Sequence, residues 1–371
     1  MNHDEIIVFA PLWKKIPTQG YGGIERVTLE RVRNLRKLGY KVQLVANTDA
    51  QNIADEVISV KKAFKFPKSR TDHLTWFSLF KWTDYLSSFS RLSKRLWNAP
   101  IISDAASMDP FNNYFLANSL GKERILYYLH GNYYFTNGIG GHFFYPLDKF
   151  TGASRKVNYG ALNTRISNLL TNRGIKAYYM PNGMEFPAIS TVRNDNDGYL
   201  LFVGIITREK APHYAIQIAK KLHLPLKIVG PIGDRAYFNN YVKEHIGGNI
   251  EYLGEIPRDS LNELFIGAKA LLFTSDWNDP QPTVVLEAMI SGTPVLALNK
   301  PNYSGIYDMI ENFENGYVGT IGEVIENASS IFEIERKSIY RKSLEKWSWD
   351  RILIKYHIPV IQKLYRNLNI R

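Results

Sequence analysis

Residues 270–298 constrain the fold more than any other part of the sequence. A short apolar run over 270–273 has the length and character of a buried strand. It empties into a polar loop rich in proline, and a helix is expected to begin near Pro282. Proline suits a first helical position because its φ is already helical and its missing N–H has no intrahelical partner there. Gly292 and Pro294 end the helix, and the apolar run 295–298 starts another strand. A strand, a loop, a helix and a second strand at this spacing make a βαβ unit, which demands a parallel sheet. Such a unit sets a helix N-terminus at the carboxyl edge of the sheet, where backbone N–H groups and the helix dipole favour phosphate. Asp279 lies just before the helix and Glu287 in its second turn, so two carboxylates flank that position.

The same alternation runs through the whole chain. In the first half, strands are expected over 6–10, 41–46, 125–129, 150–154 and 178–180, with a helix over 24–38 stopped by Gly39. The polar run TVRNDNDG at 191–198 reads as a linker. Beyond it, strands are expected over 199–203, 226–229 and 250–253, with a helix over 212–222. Two successive βαβ runs imply an α/β protein with two Rossmann-like, doubly wound domains, placed at 1–190 and 191–347. A final helix is expected within 348–371. At 371 residues the chain is too long for one ordinary core and comfortable for two.

Composition narrows the function classes. There is no cysteine, which excludes disulfides and thiolate metal sites. No apolar run approaches the roughly 18 residues that span a bilayer, and the N-terminus lacks a basic start and long apolar core. A cytoplasmic protein is expected. The net charge of +11 points to an anionic partner. Part of the charge is local: residues 61–97 hold nine basic and two acidic side chains interleaved with Phe64, Phe66, Trp76, Phe77, Phe80, Trp82, Phe89 and Trp97. That pattern suits either aromatics facing a domain core or an interfacial patch on anionic lipid, peripheral at the inner membrane face.

The loop-helix segment Asp279-Pro-Gln-Pro-Thr-Val-Val-Leu-Glu287-Ala-Met resembles the acid-x7-Glu signature of the retaining GT-B glycosyltransferases of family 4. The spacing is kept, with Asp279 for the usual first Glu and Pro282 for a usual Gly. The resemblance extends over nearly the whole chain. Tyr21-Gly22-Gly23-Ile24-Glu25 is similar to the family's glycine-rich first loop. Gly204-Ile-Ile-Thr-Arg208-Glu209-Lys210 is similar to its Gly-Arg-(x)3-Glu-Lys loop, with Ile205 where the phosphate-binding Arg usually stands. His130-Gly131, after a strand, matches the family's active-site histidine.

The resemblance implies a GT-B fold whose domains face across a cleft, with the final helix crossing back to the first domain. It implies transfer of a sugar, with retention of configuration, from a nucleotide-sugar such as a UDP- or GDP-sugar to a glycan or lipid-linked acceptor. His130, Lys210 and Asp279 would then be catalytic. Gly22, Gly23, Arg208, Thr283, Val284 and Glu287 would bind the donor, with Arg208 supplying the cation that Ile205 lacks. The expected site needs no metal or other cofactor, since no Asp-x-Asp or clustered His and acid spacing is present. No nucleic-acid partner is expected. The alternatives are a GT-B nucleotide-sugar epimerase or hydrolase and a catalytically inactive sugar-nucleotide-binding protein.

Overall fold

In a computed structural model, the residues described are 4–12, 15–17, 23–60, 94–104, 114, 117, 118, 120–130, 152–300 and 302–369. The chain divides into two compact units, residues 1–183 together with 352–371, and residues 184–351.

The first unit is built on a parallel sheet of seven strands among the described residues. These are β1 (Glu5–Phe9), β2 (Lys41–Ala46), β3 (Glu56–Ser59), β4 (Ile101–Ser103), β5 (Ile125–Leu129), β6 (Asn158–Ala161) and β7 (Lys176–Tyr179). Their order is β3-β2-β1-β4-β5-β6-β7. The chain builds outward from β1 in one direction and then from β4 in the other, so the order reverses between β1 and β4. The carboxyl ends of these two strands therefore flank the topological switch point, where open α/β sheets bind ligands. Helix α1 (Gly23–Lys37) follows β1 and α2 (Thr164–Asn172) follows β6. Strands β1, β2 and β5 are almost wholly buried, as their near-continuous apolar runs require of strands covered on both faces.

Two expectations are corrected here. The strand expected over 150–154 is not where the sheet continues. Gly152, with φ 62°, opens a 3-10 turn at Ala153–Lys156, and the strand is Asn158–Ala161. Its sequence NYGA carries little apolar signal. A Cβ on Gly160 would lie 2.9 Å from Leu126 Cδ2 on the neighbouring strand, so that side chain would have to shift. The boundaries between units also differ from those read at 190/191 and 347/348. The Met184 N–H donates to the Trp347 carbonyl at 2.9 Å, Tyr340 donates its hydroxyl to Pro187 O, and Phe186 packs edge-on against Tyr340. The segment after residue 183 is thus already bonded into the second unit.

The second unit is a parallel sheet of six strands in the order β10-β9-β8-β11-β12-β13. The strands are β8 (Tyr199–Val203), β9 (Leu226–Val229), β10 (Ile250–Gly254), β11 (Ala268–Phe273), β12 (Val295–Leu298) and β13 (Gly316–Gly319). Here the switch point lies between β8 and β11. The helices are α3 (Pro212–Leu222), α4 (Arg235–Tyr241), α5 (Arg258–Gly267), α6 (Thr283–Ile290), α7 (Ile306–Met309), α8 (Ile321–Phe332) and α9 (Arg336–Trp347). One core joins Ala215, Ile216 and Ala219 of α3 to Leu200, Ile228 and Leu272 of the sheet and to Val324, Ala328 and Ile331 of α8. Helix α6 is apolar around most of its circumference and its residues 285–290 are all buried, which is how such a helix must sit. Beside the sheet's carboxyl edge, Gly230 has φ 140°, and a Cβ there would fall 2.0 Å from the Gly204 carbonyl oxygen. Glycine is what lets the turn after β9 touch the loop after β8.

The chain closes with α10 (Trp349–Ile352), a π-helical turn over Leu353–His357 and α11 (Ile358–Asn369). This last stretch groups with the first unit from residue 352 onward. Tyr365 bonds the Glu5 carbonyl, Asn367 donates to the Glu123 carbonyl at 3.3 Å, and His357 donates from Nε2 to the Pro181 carbonyl at 2.8 Å.

Candidate functional site

In the second unit the residues of interest sit on two loops at the carboxyl edge of the sheet, after β8 and after β11. The loops are tied to each other through their backbones. The Asp276 N–H donates to Glu209 O at 2.8 Å, the Ser275 hydroxyl to the same carbonyl at 3.2 Å, and the Thr274 hydroxyl to Ala211 O at 3.0 Å. Thr274 and Ala211 are buried, so the bond between them forms away from competing water. The consequence is a fixed approach of two side chains: Lys210 Nζ meets Asp279 Oδ2 at 2.9 Å, with both side chains about a quarter exposed or less. A third loop holds the acid in place, with the Gly305 N–H donating to Asp279 O at 2.9 Å and the Tyr303 N–H to Asn278 Oδ1 at 2.8 Å. Gly305 must be glycine, because a Cβ would lie 2.2 Å from the Pro280 carbonyl oxygen.

Helix α6 begins immediately after this loop. Pro282 is its N-cap, with φ −68° and ψ 110°, and Thr283 is the first helical residue. The proline therefore sits one position earlier than expected: its extended ψ is not helical. Among the described residues no side chain caps this end. The N–H groups of Thr283 and Val284 open the helix, and both residues are partly exposed. Glu287 lies one turn further along and is only 3% exposed. A carboxylate so placed is not a solvated surface charge, which removes the simplest structural explanation for it.

The other candidates fall in different places. Ile205, at the position of the missing cation, packs against the turn after β9: a Cβ on Gly233 would lie 2.4 Å from Ile205 Cγ2. Arg208 is exposed, and its charge is felt at His213 on α3 and Tyr237 on α4, whereas Lys210 turns to Asp279. Burial is the main reason His213 is held below its ordinary value, with Asp276 opposing and Lys300 and Arg208 assisting. His213 Nδ1 bonds the Tyr237 hydroxyl at 2.6 Å.

In the first unit, Gly23 is the first residue of α1, and a Cβ there would meet nothing within 4 Å. Nothing in the described chain requires glycine at that position. Gly22 lies outside the described residues, as do residues 61–93 of the basic-aromatic segment.

His130 lies at the end of β5, and here the structure supplies what the sequence did not. Its Nε2 is 2.7 Å from Asp104 Oδ1, and Asp104 follows β4 at the switch point, its N–H donating to Phe9 O at 2.8 Å. Asp104 also accepts from Thr28 Oγ1 at 2.8 Å and from Arg31 Nη1 at 2.8 and 2.6 Å. Arg31 reaches Asn182 Oδ1 at 3.0 Å and lies 4.0 Å over the Tyr128 ring. Burial opposes ionisation of Asp104, but the Arg31 guanidinium and the hydrogen bond from His130 hold its carboxyl far below the usual carboxylate range. Sequence reasoning could have flagged Asp104 as an acid directly after a strand of a parallel sheet. Thr28 and Arg31, on one face of α1 at a spacing of three, gave no signal of their own. Among the described residues no group of three or more His, Asp or Glu side chains is arranged to hold a metal ion.

Residues 188–348 match the family model described as glycosyl transferases group 1. The matched stretch contains Lys210, Asp279, Thr283, Val284 and Glu287, and ends close to the boundary of the second unit. Spore coat protein SA of Bacillus subtilis (strain 168) is 27% identical over 132 residues, which is 32% of this chain and 34% of that protein. The match thus spans about a third of the relative's length. Among solved structures, a glycosyltransferase from Rickettsia africae ESF-5 superposes with a TM-score of 0.69 at 16% identity, covering 99% of this chain and 100% of that one. Anabaena Alr3699/HepE in complex with UDP-glucose superposes with a TM-score of 0.64 at 13% identity, covering 99% and 100%. At these identities the likeness is one of fold, and the fold is GT-B: two Rossmann-like α/β domains in one chain.

Proposed function

We propose that this protein is a glycosyltransferase that uses a nucleotide-sugar, a UDP-sugar foremost, and transfers the sugar to an acceptor hydroxyl with retention of configuration. The observation that carries this reading is the Lys210–Asp279 pair at 2.9 Å, set on two backbone-locked loops just before the uncapped N-terminus of α6. Lys210 and the Thr283 and Val284 N–H groups bind the diphosphate, and Asp279 takes a hydroxyl of the donor sugar. Glu287 binds the ribose. Negative charge grows on the diphosphate as the glycosidic bond breaks. Fixed donors aimed at it stabilise that charge without reorganising, which is how such sites lower a barrier. The departing phosphate assists deprotonation of the acceptor, so no side-chain nucleophile is required. A glycan or a lipid-linked glycan is the acceptor class, and the basic-aromatic segment 61–97 is the motive for the second of these.

The test is a panel of nucleotide-sugars, each measured for thermal stabilisation and for turnover with and without acceptor alcohols. A ligand that binds only the folded state raises stability with concentration. Product with the anomeric configuration of the donor supports the reading. Donor breakdown of equal rate without any acceptor identifies a hydrolase or epimerase instead. In the same assay Glu287→Ala should weaken donor binding about ten- to a hundredfold, the cost of one charge-assisted hydrogen bond of roughly 1.5–3 kcal/mol. Unchanged donor affinity in a folded Glu287→Ala protein would remove Glu287 from the ribose site.

A further inference from the structure

The sequence offered His130 alone, yet in the fold it is one end of a buried polar chain. Asp104 is fully enclosed and accepts four hydrogen bonds, two from Arg31 and one each from Thr28 and His130. Arg31 is enclosed as well, and is itself braced by Asn182 and the Tyr128 ring. An ionised carboxylate accepts hydrogen bonds and cannot donate. The nitrogen of His130 that faces it, Nε2, must therefore carry the proton. In the neutral ring Nδ1 is then the acceptor, and among the described residues Nδ1 has no partner.

We propose that Asp104 is a positioning residue that fixes His130 as the Nε2–H tautomer, so that Nδ1 is presented to accept a hydrogen bond from a hydroxyl of the substrate sugar. The substrate contact rests on the glycosyltransferase reading; the tautomer does not. Arg31 and Thr28 act through Asp104. They take up its remaining lone pairs and leave a single direction open, toward His130. A histidine set in this way discriminates by chemistry: a sugar hydroxyl can donate to Nδ1, whereas a deoxy position or a carbonyl cannot.

Asp104→Asn makes the sharpest test. Thr28 and Arg31 both donate to Oδ2, at 2.8 and 2.6 Å, against the one longer Arg31 contact of 2.8 Å to Oδ1, which favours the amide oxygen at the Oδ2 position. In that orientation its NH2 group faces His130 and needs an acceptor, so the ring switches to the Nδ1–H tautomer. The tautomer is read from the ring nitrogen shifts of ¹⁵N-histidine-labelled full chain at a pH where His130 is neutral, with no substrate present. The wild-type protein should show Nε2 protonated, Asp104→Asn should show Nδ1 protonated, and Thr28→Val, which keeps the carboxylate, should retain the wild-type pattern. With the donor found by screening, Asp104→Asn should lower kcat/KM roughly ten- to a hundredfold, about the cost of one lost hydrogen bond to a strongly polar group. A substrate lacking the contacted hydroxyl should lose the same factor on the wild-type enzyme and little more on the variant.

A wild-type His130 protonated at Nδ1 overturns the proposal without any variant, which covers the case in which Asp104→Asn fails to fold. A switched tautomer with unchanged kinetics across all donors overturns the substrate contact. If no nucleotide-sugar binds or reacts, the glycosyltransferase reading fails, and the nitrogen shifts still decide the tautomer.

Discussion

Lys210→Ala should reduce turnover about 10²–10³-fold with the donor identified by screening, the scale for removing one fixed stabiliser of developing charge. The fold should survive the change. Lys210 and Asp279 are 25% and 21% exposed, and a pair that water reaches contributes little to stability. The melting temperature therefore serves as the control: it should move by no more than a degree or two while turnover collapses. The loss should appear in kcat more than in KM, because the charge that Lys210 meets is larger in the transition state than in the bound donor. Arg208→Ala should have a smaller effect, since an exposed guanidinium acts through water, and wild-type kinetics would rule it out as the substitute for the cation absent at Ile205. Full activity of Lys210→Ala would remove the lysine from the diphosphate site and with it the main support for the proposed chemistry.

The second unit was easier to read from sequence than the first, and for a physical reason. Its strands are short apolar blocks separated by Gly and Pro punctuation, so β8, β9 and β12 fall at the expected residues. The loop carrying Asp279 and the helix carrying Glu287 are adjacent in sequence, so their spacing alone brought them together. What sequence could not supply was Lys210 meeting Asp279 across 69 positions, which depends on backbone bonds between the two loops. In the first unit the difficulty is greater. β4 has three residues and β6 contains a glycine, so neither carries a strong periodic signal. Asp104 and His130 come from adjacent strands of a parallel sheet, and Arg31 from a helix 73 positions before Asp104. Only the strand order, with its reversal between β1 and β4, sets these three side by side. A motif confined to one loop is legible in sequence, whereas a charge network assembled by sheet order is not.

The same network makes the first unit sensitive to acid. His357, in the π-helical turn, is wholly buried, and burial followed by the nearby Arg31 charge pushes it down to about 3 from an ordinary value of 6.5. It is neutral in the fold, donating from Nε2 to Pro181 O, with the Tyr128 hydroxyl 2.9 Å from Nε2 and 3.3 Å from Nδ1. Once unfolded, the ring takes up a proton below pH 6.5, whereas the folded ring does so only near pH 3. The unfolded state therefore binds more protons throughout that interval, and stability must fall as pH falls through it. The slope contributed by this one group approaches about 1.4 kcal/mol per pH unit. Asp104 acts in the same direction but only below its ordinary value of 3.8, so the window from pH 6.5 to about 4.5 isolates His357. His357→Gln provides the comparison, since an amide can donate to Pro181 O and accept from Tyr128 without titrating. Chemical denaturation, following the transition of the first unit, should show the wild type losing about 2–3 kcal/mol more than His357→Gln across that window. Parallel pH profiles for the two proteins would mean that His357 is reached by water and protonates in the folded chain.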